Sequence, residues 1–436
     1  MPRKNGINVI TMGCSKNLVD SERLLKMLRD SGFEAVHDAP LDDCHGYAAV
    51  INTCGFIGDA KEESINMILE ALQARDAGLL TKVYVMGCLS ERYRSELETE
   101  MPEVDGWYGK FDWHAIVRDL AKAFPATAPW DRVLTTPSHH AYLKIAEGCN
   151  RFCAFCAIPL ITGRYKSRPE EEILEEVRQL TARGVKEFNI IAQDLSAYGS
   201  DLPGGGLRLA SLIDRMAGID GVRWIRLHYA YPAQFPYEIL PVMAKHENVC
   251  KYLDIALQHI ADPVLSNMRR HITSAETEEL LARIRREVPG IHIRTTLMVG
   301  FPGEGEAEFD SLLDFVRRQR FERMGAFAYC EEDDTYAAKN FSDDIPQDVK
   351  QQRLDKLMKL QEEISMEVQQ SKIGTIQRVV IDSENDDYYI GRTQFDSPEV
   401  DPEVLIEKTA EMRRGEFYDV EIIDALPFEL IARPCQ

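Results

Sequence analysis

Three cysteines within one short segment could hold an iron–sulfur cluster. Cys149, Cys153 and Cys156 form a CxxxCxxC pattern in EGCNRFCAFCAIP, directly after a predicted strand. Thiolates at this spacing can bind three irons of a four-iron cubane, which leaves the fourth iron without a protein ligand. Zinc is the alternative, but a structural zinc site usually takes four protein ligands, and no second CxxC or HxxxH lies nearby. The pattern favours a cluster with one open iron, which could bind and reduce a second cofactor.

Three other cysteines are far apart in the sequence but occupy equivalent positions after predicted strands. They are Cys14, Cys54 and Cys88, and the glycines beside them are Gly13, Gly55 and Gly87. The carboxyl ends of parallel strands converge at one sheet edge, and glycine leaves room for a ligand near the backbone. Taken singly, each cysteine could be a small buried hydrophobe. Together they predict a second cluster site.

The remaining cysteines show no such pattern, and we interpret them as structural or incidental. They are Cys44, Cys250, Cys330 and Cys435.

A parallel α/β sheet would bring the three scattered cysteines together. From residue 1 to residue 128, predicted strands alternate with predicted helices, which indicates a parallel sheet with helices on its faces. The strands are predicted over 7–12, 48–52 and 82–87, and the helices over 18–29, over 61–74 and from Glu91. The proline-containing stretch 124–138 is typical of a linker.

The central region, 135–368, repeats the alternation and is predicted to be a partial or full TIM-type barrel. Its strands are predicted over 142–148, 187–193, 224–229, 252–258, 291–301 and 324–330. Active sites lie at the carboxyl ends of barrel strands, where Cys149, Cys153 and Cys156 fall. A helix is predicted over 347–370, and short strands within 369–436 predict a small antiparallel β-barrel. The chain as a whole is therefore predicted to be an α/β protein of three domains.

The composition limits the cellular context and the partners. No stretch approaches 18 consecutive apolar residues, and MPRKNGINVITMG lacks the apolar core of a signal peptide, so we expect a cytoplasmic protein without a membrane span. Clustered cysteines in that compartment favour metal binding over disulfides. The net charge is −21. This charge fits a basic partner better than a nucleic acid; the alternative is that the acidity serves only solubility.

Longer motifs place these cysteines in a known family. The segment 149–156, including the aromatic Phe155 before the third cysteine, resembles the radical S-adenosylmethionine superfamily. Within that superfamily the chain resembles the methylthiotransferases, whose members share an N-terminal cluster domain, a radical barrel and a C-terminal TRAM β-barrel. The motifs are TMGCSKNLVDSE, NTCGFIGDAKEES, KIAEGCNRFCAFCAIPLITGRYKSR, AQDLSAYG, HYAYP, QHI…MRR and RTTLMVGFPGE. They are most similar to the RimO branch, and the resemblance covers essentially the whole chain.

The resemblance implies the cofactors and the reaction. It implies two 4Fe-4S clusters and S-adenosyl-L-methionine, with Cys149, Cys153 and Cys156 as the catalytic triad where the cofactor is cleaved to a 5′-deoxyadenosyl radical. The other triad, Cys14, Cys54 and Cys88, would hold the cluster that carries the methylthio group. The radical would remove hydrogen from the β-carbon of an aspartate in ribosomal protein S12. A flavodoxin or ferredoxin type of protein would supply the electrons.

Further residues are candidates to contact S-adenosylmethionine, because polar groups and backbone at barrel strand ends hold it in the family. They are Phe155, Gln193, Asp254, Arg294 and Gly300. The alternative is that these polar strand residues serve packing alone. A non-catalytic iron–sulfur sensor or scaffold is a further alternative, which would need no cofactor-sized pocket.

The charge of the last region bears on the choice of substrate. The sister branch, of MiaB type, modifies an adenosine in tRNA, and an RNA-binding TRAM barrel should be basic. Residues 371–436 instead carry 7 Lys and Arg against 15 Asp and Glu, a net charge of −8. This acidity favours a basic ribosomal protein over tRNA, unless it is only a solvated face. The aromatics Tyr388, Tyr389 and Phe395 could be contact anchors or core residues.

Overall fold

The amino-terminal region is a five-stranded parallel sheet with helices on both faces. The structure is a computed structural model that describes residues 5–43, 46–121 and 130–435; Cys44, residue 128 and the stretch 124–129 of the predicted linker lie outside the described residues. The strands, in sheet order β2-β1-β3-β4-β5, are β1 (Gly6–Thr11), β2 (Glu34–His37), β3 (Ala48–Thr53), β4 (Lys82–Gly87) and β5 (Gly106–Trp107). The helices are α1 (Ser15–Asp30), α2 (Gly58–Asp76), α3 (Cys88–Glu100) and α4 (Trp113–Leu120). Apolar residues of α1 and α4 pack on one face, and those of α2 and α3 on the other.

The central region is an open barrel of six parallel strands. Their order is β13-β12-β11-β10-β9-β6, so the sheet is a partial barrel with free edges at β6 and β13. The strands are β6 (His140–Lys144), β9 (Glu187–Ile191), β10 (Trp224–Ala230), β11 (Val249–Gln258), β12 (His292–Val299) and β13 (Arg323–Ala328), and β7 (Ala146–Glu147) and β8 (Lys166–Ser167) form a separate hairpin.

The helices of the central region cover the outside of this sheet and build the largest apolar core of the molecule. They are α5 (Ile158–Thr162), α6 (Glu170–Ala182), α7 (Leu209–Ala217), α8 (Ile239–Lys245), α9 (Asp262–Asn267), α10 (Ser274–Glu287), α11 (Glu306–Gln319), α12 (Tyr336–Asn340) and α13 (Gln347–Gln370). On α13, Leu357 and Ile364 recur at helical spacing and are buried against the core.

The carboxyl-terminal region is a closed five-stranded β-barrel. Its order is β14-β15-β16-β18-β17, with β14 (Ile376–Glu384), β15 (Tyr388–Thr393), β16 (Glu403–Glu407), β17 (Phe417–Ala425) and β18 (Glu429–Pro434). All neighbouring strands are antiparallel except β16 and β18, which pair in parallel. Closure leaves no unpaired sheet edge.

This small barrel packs against the amino ends of the central strands through buried ion pairs. Glu187, at the start of β9, is fully buried and pairs with Arg226 at 3.2 Å and with Arg392 of β15 at 2.8 Å. Arg323, at the start of β13, pairs with Asp396, and Phe395 stacks on His292 with ring centres 4.0 Å apart. Removing one partner of such a pair leaves an uncompensated buried charge, which costs about 3–5 kcal/mol.

Helix α1 joins the amino-terminal sheet to the free β6 edge of the central barrel. Val19 of α1 packs with Tyr142 and Ile191 of the central sheet. Nearby, Arg132 pairs with Glu22 of α1 and, at 2.8 Å, with Glu176 of α6, and all three are buried. In the described part of the chain, no helix is both long and apolar enough to cross a membrane.

A buried histidine at the interface between the central and C-terminal barrels should make stability depend on pH. Burial and the nearby Arg392 lower the pKa of His140, which starts β6, to about 4. An unfolded histidine has a pKa near 6.5, so the unfolded state binds the proton first as the pH falls. We therefore expect the free energy of unfolding to drop between about pH 6.5 and pH 4, by roughly 3 kcal/mol from this residue.

Urea unfolding of the cluster-free protein across that range checks this prediction. His228 and His292 also have lowered pKa values because they are buried, so they contribute to the same decline in stability. A variant that lacks only His140 is needed to measure its share. The variant His140→Gln should therefore show a shallower decline than the unaltered protein. Equal declines in the two proteins would contradict the prediction.

Candidate active site

The three scattered cysteines meet at the carboxyl edge of the amino-terminal sheet. Cys14 follows β1, Cys54 follows β3 and Cys88 follows β4, and these three strands are neighbours in the sheet. The thiols are close enough that a charge on Cys14 raises the pKa of Cys54, and charges on both raise that of Cys88. We call Cys14, Cys54 and Cys88 the N-terminal triad. The structure brings its members together, whereas their binding of iron stays a prediction.

Glycines beside the N-terminal triad are required by close packing. Gly13 has a φ of +87°, and a Cβ there would lie 2.8 Å from Cys54 Sγ. Gly87 has a φ of +104°, and a Cβ there would lie 2.5 Å from the Thr53 carbonyl oxygen. A Cβ at Gly55 would lie 2.6 Å from the Cα of Leu89. Larger residues would therefore push the cysteine loops apart.

A buried lysine lies beside the N-terminal triad. Lys110 is 2% exposed, and its Nζ donates to Asp20 at 3.0 Å and to Asn17 at 3.1 Å. Burial alone would lower its pKa, but Asp20 and the thiol of Cys88 raise it well above the usual value. In turn Lys110 opposes the effect of burial on the pKa of all three thiols; it is the largest opposing effect at Cys88, whereas Lys16 has a larger effect at Cys14. A fixed positive charge here favours thiolates, the form that binds iron.

The second triad, Cys149, Cys153 and Cys156, lies in the loop after β7 at the carboxyl end of the barrel strands; we call it the barrel triad. Backbone hydrogen bonds anchor this loop: Ala154 N–H donates to Met268 O at 2.9 Å, and Ala337 N–H donates to Ala154 O at 2.7 Å. The loop is therefore held to two later parts of the barrel.

Basic and aromatic side chains surround the barrel triad. Arg270 is 3% exposed and donates to Cys153 Sγ at 3.2 Å, while its guanidinium lies 4.2 Å from the ring centre of Tyr231. Arg151 pairs with the buried Asp194 at 2.6 Å. Hydrogen bonds to a ligating sulfur and nearby cations stabilise negative charge on a cluster.

Burial affects most thiols of the two triads. It raises the pKa of Cys149 and of Cys88 to about 12, and raises that of Cys156 further. Burial raises the pKa of Cys250, outside both triads, to about 12 as well, so this shift does not distinguish a cluster ligand. The grouping of three thiols in each triad is what suits an iron–sulfur cluster that takes three thiolates.

Unsatisfied polar atoms at strand ends fit a polar cofactor next to the barrel triad. Gln193, after β9, donates to Glu147, and its Oε1 is buried without a hydrogen-bond partner among the described residues. The Oε1 of Gln258, at the end of β11, is likewise buried and unpaired in the described ranges. Buried polar atoms are normally hydrogen-bonded, so a bound polar molecule would complete them.

The other cofactor candidates lie in different surroundings. Phe155 packs edge-on against Phe301, with ring centres 6.2 Å apart. Asp254, 6% exposed, accepts from Tyr229 N–H at 3.2 Å, and burial raises its pKa to about 6. Arg294 donates to Asp401 of the C-terminal barrel at 2.5 Å. Their contact with S-adenosylmethionine stays a prediction, and Arg294 already has a protein partner.

Gly300 has a packing role in the structure. It follows β12 with a φ of +74°, and a Cβ there would lie 2.4 Å from Cγ of the buried Lys350. Its N–H donates to Glu304 at 3.0 Å. Whether its backbone also contacts the cofactor stays a prediction.

The two triads meet where the amino-terminal and central regions join. Cys88 forms a small buried cluster with Ala157 and Ile161. Ala157 directly follows Cys156, and Ile161 lies in α5, which begins at the next residue. A polar chain runs alongside: Lys144 of β6 pairs with Asp20 and, at 2.7 Å, with Glu147, which precedes the barrel triad. A small molecule or side chain entering this junction would therefore be close to both triads.

The acidity of the C-terminal barrel is divided between its interface with the central region and its surface. Asp382, Asp396 and Asp401 pair with basic side chains at the interface, so these carboxylates are unavailable to a partner. The hairpin between β14 and β15 is different, because Asp386 and Asp387 are exposed and form no ion pair within the described ranges. Among the aromatics, Tyr389 packs on the barrel core and Phe395 on His292.

Several residues of the site could not be found from the sequence alone. Arg270 contacts a cysteine 117 positions earlier in the chain. Lys110 reaches Asp20 across 90 positions, and only the fold brings them together. The other cysteines stay outside both triads: Cys250 is buried, and Cys330 and Cys435 are exposed.

Family models match all three regions of the chain. Residues 143–316 match the radical SAM superfamily, residues 373–435 match the TRAM domain, and residues 6–109 match an uncharacterized protein family, UPF0004. A radical S-adenosylmethionine methyltransferase, TsrM from Kitasatospora setae, has a TM-score of 0.57 at 15% identity and covers 78% of this chain and 77% of its own. At that identity the likeness shows the fold alone. The cobalamin-dependent radical enzyme OxsB gives a TM-score of 0.51 at 13% identity, covering 83% of this chain and 56% of its own.

The fold and the barrel triad thus define a radical S-adenosylmethionine enzyme. Proteins named ribosomal protein uS12 methylthiotransferase RimO are 60% identical in Phocaeicola vulgatus over 431 residues and 58% identical in Porphyromonas gingivalis over 433 residues; each alignment covers 99% of both chains. The relative in Flavobacterium johnsoniae is 48% identical and covers 99% of this chain and 98% of its own. The chain belongs to the RimO family of methylthiotransferases.

Proposed function

We propose that this protein transfers a methylthio group to the β-carbon of an aspartate in ribosomal protein uS12, with S-adenosylmethionine and two four-iron clusters as cofactors. The observation that carries the proposal is the meeting of the two triads, with Cys88 packed against the helix that follows Cys156. A carbon that is to lose hydrogen and gain sulfur must lie close to both sites. The RimO relatives are named for uS12, which supports this substrate over the MiaB-type tRNA alternative and over a non-catalytic scaffold.

The residues of this chain would divide the work between the two sites. When bound, the clusters and S-adenosylmethionine supply a hydrogen-abstracting radical and a methylthio sulfur. The barrel triad would hold the cluster that binds S-adenosylmethionine, and Arg270 would stabilise the negative charge on Cys153. The N-terminal triad would hold the second cluster, with Lys110 as its fixed positive neighbour. The buried Oε1 atoms of Gln193 and Gln258 would accept hydrogen bonds from the cofactor.

We also propose the domain limits and the electron donor. The limits are 1–128, 135–368 and 369–436; the last of them falls in the final turn of α13, just before the C-terminal barrel. A flavodoxin or ferredoxin type of protein would deliver the electrons. Arg92 and Lys61 of the amino-terminal region pair with Glu332 of the central region at 2.9 and 3.0 Å. These ion pairs would keep the two cluster domains together during turnover.

Mass analysis of the substrate tests the proposal directly. The reconstituted protein, with S-adenosylmethionine and a reductant under anaerobic conditions, should add one methylthio group to uS12 at an aspartate. Transfer of the group to tRNA instead, with uS12 unmodified, would contradict it.

The exposed acidic hairpin should accelerate capture of the basic substrate. Replacing Asp386 and Asp387 with Lys should slow association with uS12 several-fold at low salt, because charge complementarity mainly raises the association rate. Added salt should shrink the difference, since the Debye length falls to about 8 Å at physiological ionic strength. Stopped-flow association at two salt concentrations measures both effects.

A matched control changes the same charge elsewhere. Glu362 and Glu363 are exposed on α13, so their replacement with Lys should leave the association rate nearly unchanged. Equal slowing by both variants would assign the effect to net charge rather than to the hairpin. Deletion of residues 371–436 is a poorer test, because it would remove the buried partners of Arg294 and Arg323 and one of the two buried partners of Glu187.

A further inference from the structure

Lys16 is a buried cation that pairs with no carboxylate of a described residue, at the junction of the two triads. Lys16 lies in the first turn of α1 and is only 9% exposed. No carboxylate oxygen of a described residue lies within 4.0 Å of its Nζ. The ammonium instead lies over the ring of Tyr229, 3.4 Å from the ring centre.

The other buried lysines of this junction are neutralised by the protein. Lys110 and Lys144 both pair with Asp20. A buried ammonium without an anionic partner loses much of its solvation, so proteins usually pair it. A cation–π contact compensates this loss only in part, by about 0.5–2 kcal/mol. Lys16 therefore differs from its neighbours in pairing with no described carboxylate, while its charge lowers the pKa of the Cys14 thiol.

The position of Lys16 relates it to both halves of the site. It follows Cys14 of the N-terminal triad by two residues, and its charge also acts on Asp254 inside the barrel. Tyr229, at the end of β10, remains 36% exposed, so the residue that the ammonium contacts reaches the surface. A negative group of a ligand that contacts Tyr229 would lie near the ammonium of Lys16.

We propose that Lys16 binds the carboxylate of the aspartate that the enzyme modifies. The inference rests on the proposed function and deepens it, because it names the residue that recognises the target side chain. In aspartate the carboxylate is bonded directly to the β-carbon, so an ammonium that fixes the carboxylate also fixes the carbon to be modified.

A double-mutant cycle on binding tests this inference. The reconstituted enzyme without reductant is titrated with uS12 and with uS12 whose target aspartate is changed to asparagine, and so is the Lys16→Met variant. A charged hydrogen bond of this kind corresponds to roughly ten- to a hundredfold in affinity. We expect Lys16→Met to weaken binding of unaltered uS12 by about that factor, and to bind the asparagine form no worse than the unaltered enzyme does.

Three further variants separate charge from structure. Lys16→Arg should keep most of the affinity, whereas Lys16→Gln should behave as Lys16→Met does. Lys26→Met, on an outer position of the same helix, should leave affinity unchanged. Iron content is measured for each variant so that binding is compared at equal cluster loading.

The outcomes distinguish this inference from the proposed function. If Lys16→Met weakens both forms of uS12 equally, or weakens neither, the inference is overturned. If the unaltered enzyme fails to methylthiolate uS12 at all, the proposed function itself is overturned, whatever the cycle gives. The contact between Lys16 and the target carboxylate is established if the enzyme binds uS12 more tightly than its asparagine form, and if this difference disappears only in variants without a charge at residue 16.

Discussion

Reconstituted protein is expected to bind about eight iron atoms per chain, and replacement of Cys149, Cys153 and Cys156 by Ala is expected to leave about four. The two triads are built on different domains and different strands, so loss of one set of ligands leaves the other set in place. The matched variant, with Cys14, Cys54 and Cys88 replaced by Ala, should also keep about half. Iron and sulfide analysis, with electron paramagnetic resonance of the reduced protein, measures both.

A control distinguishes ligand loss from general damage. Cys250 is buried but lies outside both triads, so Cys250→Ala should keep the full iron load. Full iron in the barrel-triad variant would show that one cluster, or a different ligand set, accounts for the metal.

Single substitutions are expected to separate the roles of the two triads. Cys153→Ala should abolish both reductive cleavage of S-adenosylmethionine and methylthio transfer, because the cleavage site loses a ligand. Cys54→Ala should still cleave the cofactor while transfer falls by more than about a hundredfold. Quantification of 5′-deoxyadenosine and of modified uS12 in the same reactions checks both statements.

The comparison is meaningful only if each variant keeps its other cluster. The Cys54→Ala protein must therefore retain the iron of the barrel triad, measured in the same sample. Loss of 5′-deoxyadenosine formation despite that iron would argue against the division of roles.

Elements with strong patterns could be predicted from the sequence. Strand β4 was expected over 82–87 and helix α13 over 347–370, and both have these bounds in the structure. The open barrel and the five-stranded C-terminal barrel confirm the predicted fold class. Short strands were not predicted: β2 has four residues and β5 only two, too few for a periodic pattern.

Polar interfaces obscured other boundaries. Strand β6 begins at His140, two residues before the predicted start, because its first residue and the residue before it, His139, are buried histidines, and His139 contacts Asp382 of the C-terminal barrel. The sequence predicted which thiols lie together, since Cys149, Cys153 and Cys156 are closely spaced and each member of the N-terminal triad directly follows a predicted strand. The partners of those thiols could not be predicted, because Lys110 and Arg270 reach the site only through tertiary packing.

The position of the C-terminal barrel limits which partners can contact this barrel and the two triads at the same time. This barrel covers the amino ends of the central strands, whereas both triads lie at carboxyl ends. The intervening strands have five to ten residues, and one residue of strand spans about 3.3 Å. The interface with the C-terminal barrel and the two triads are therefore separated by roughly 17–33 Å. A projecting loop or an extended tail of a partner that contacts this barrel can reach over such a distance to place an aspartate at the junction.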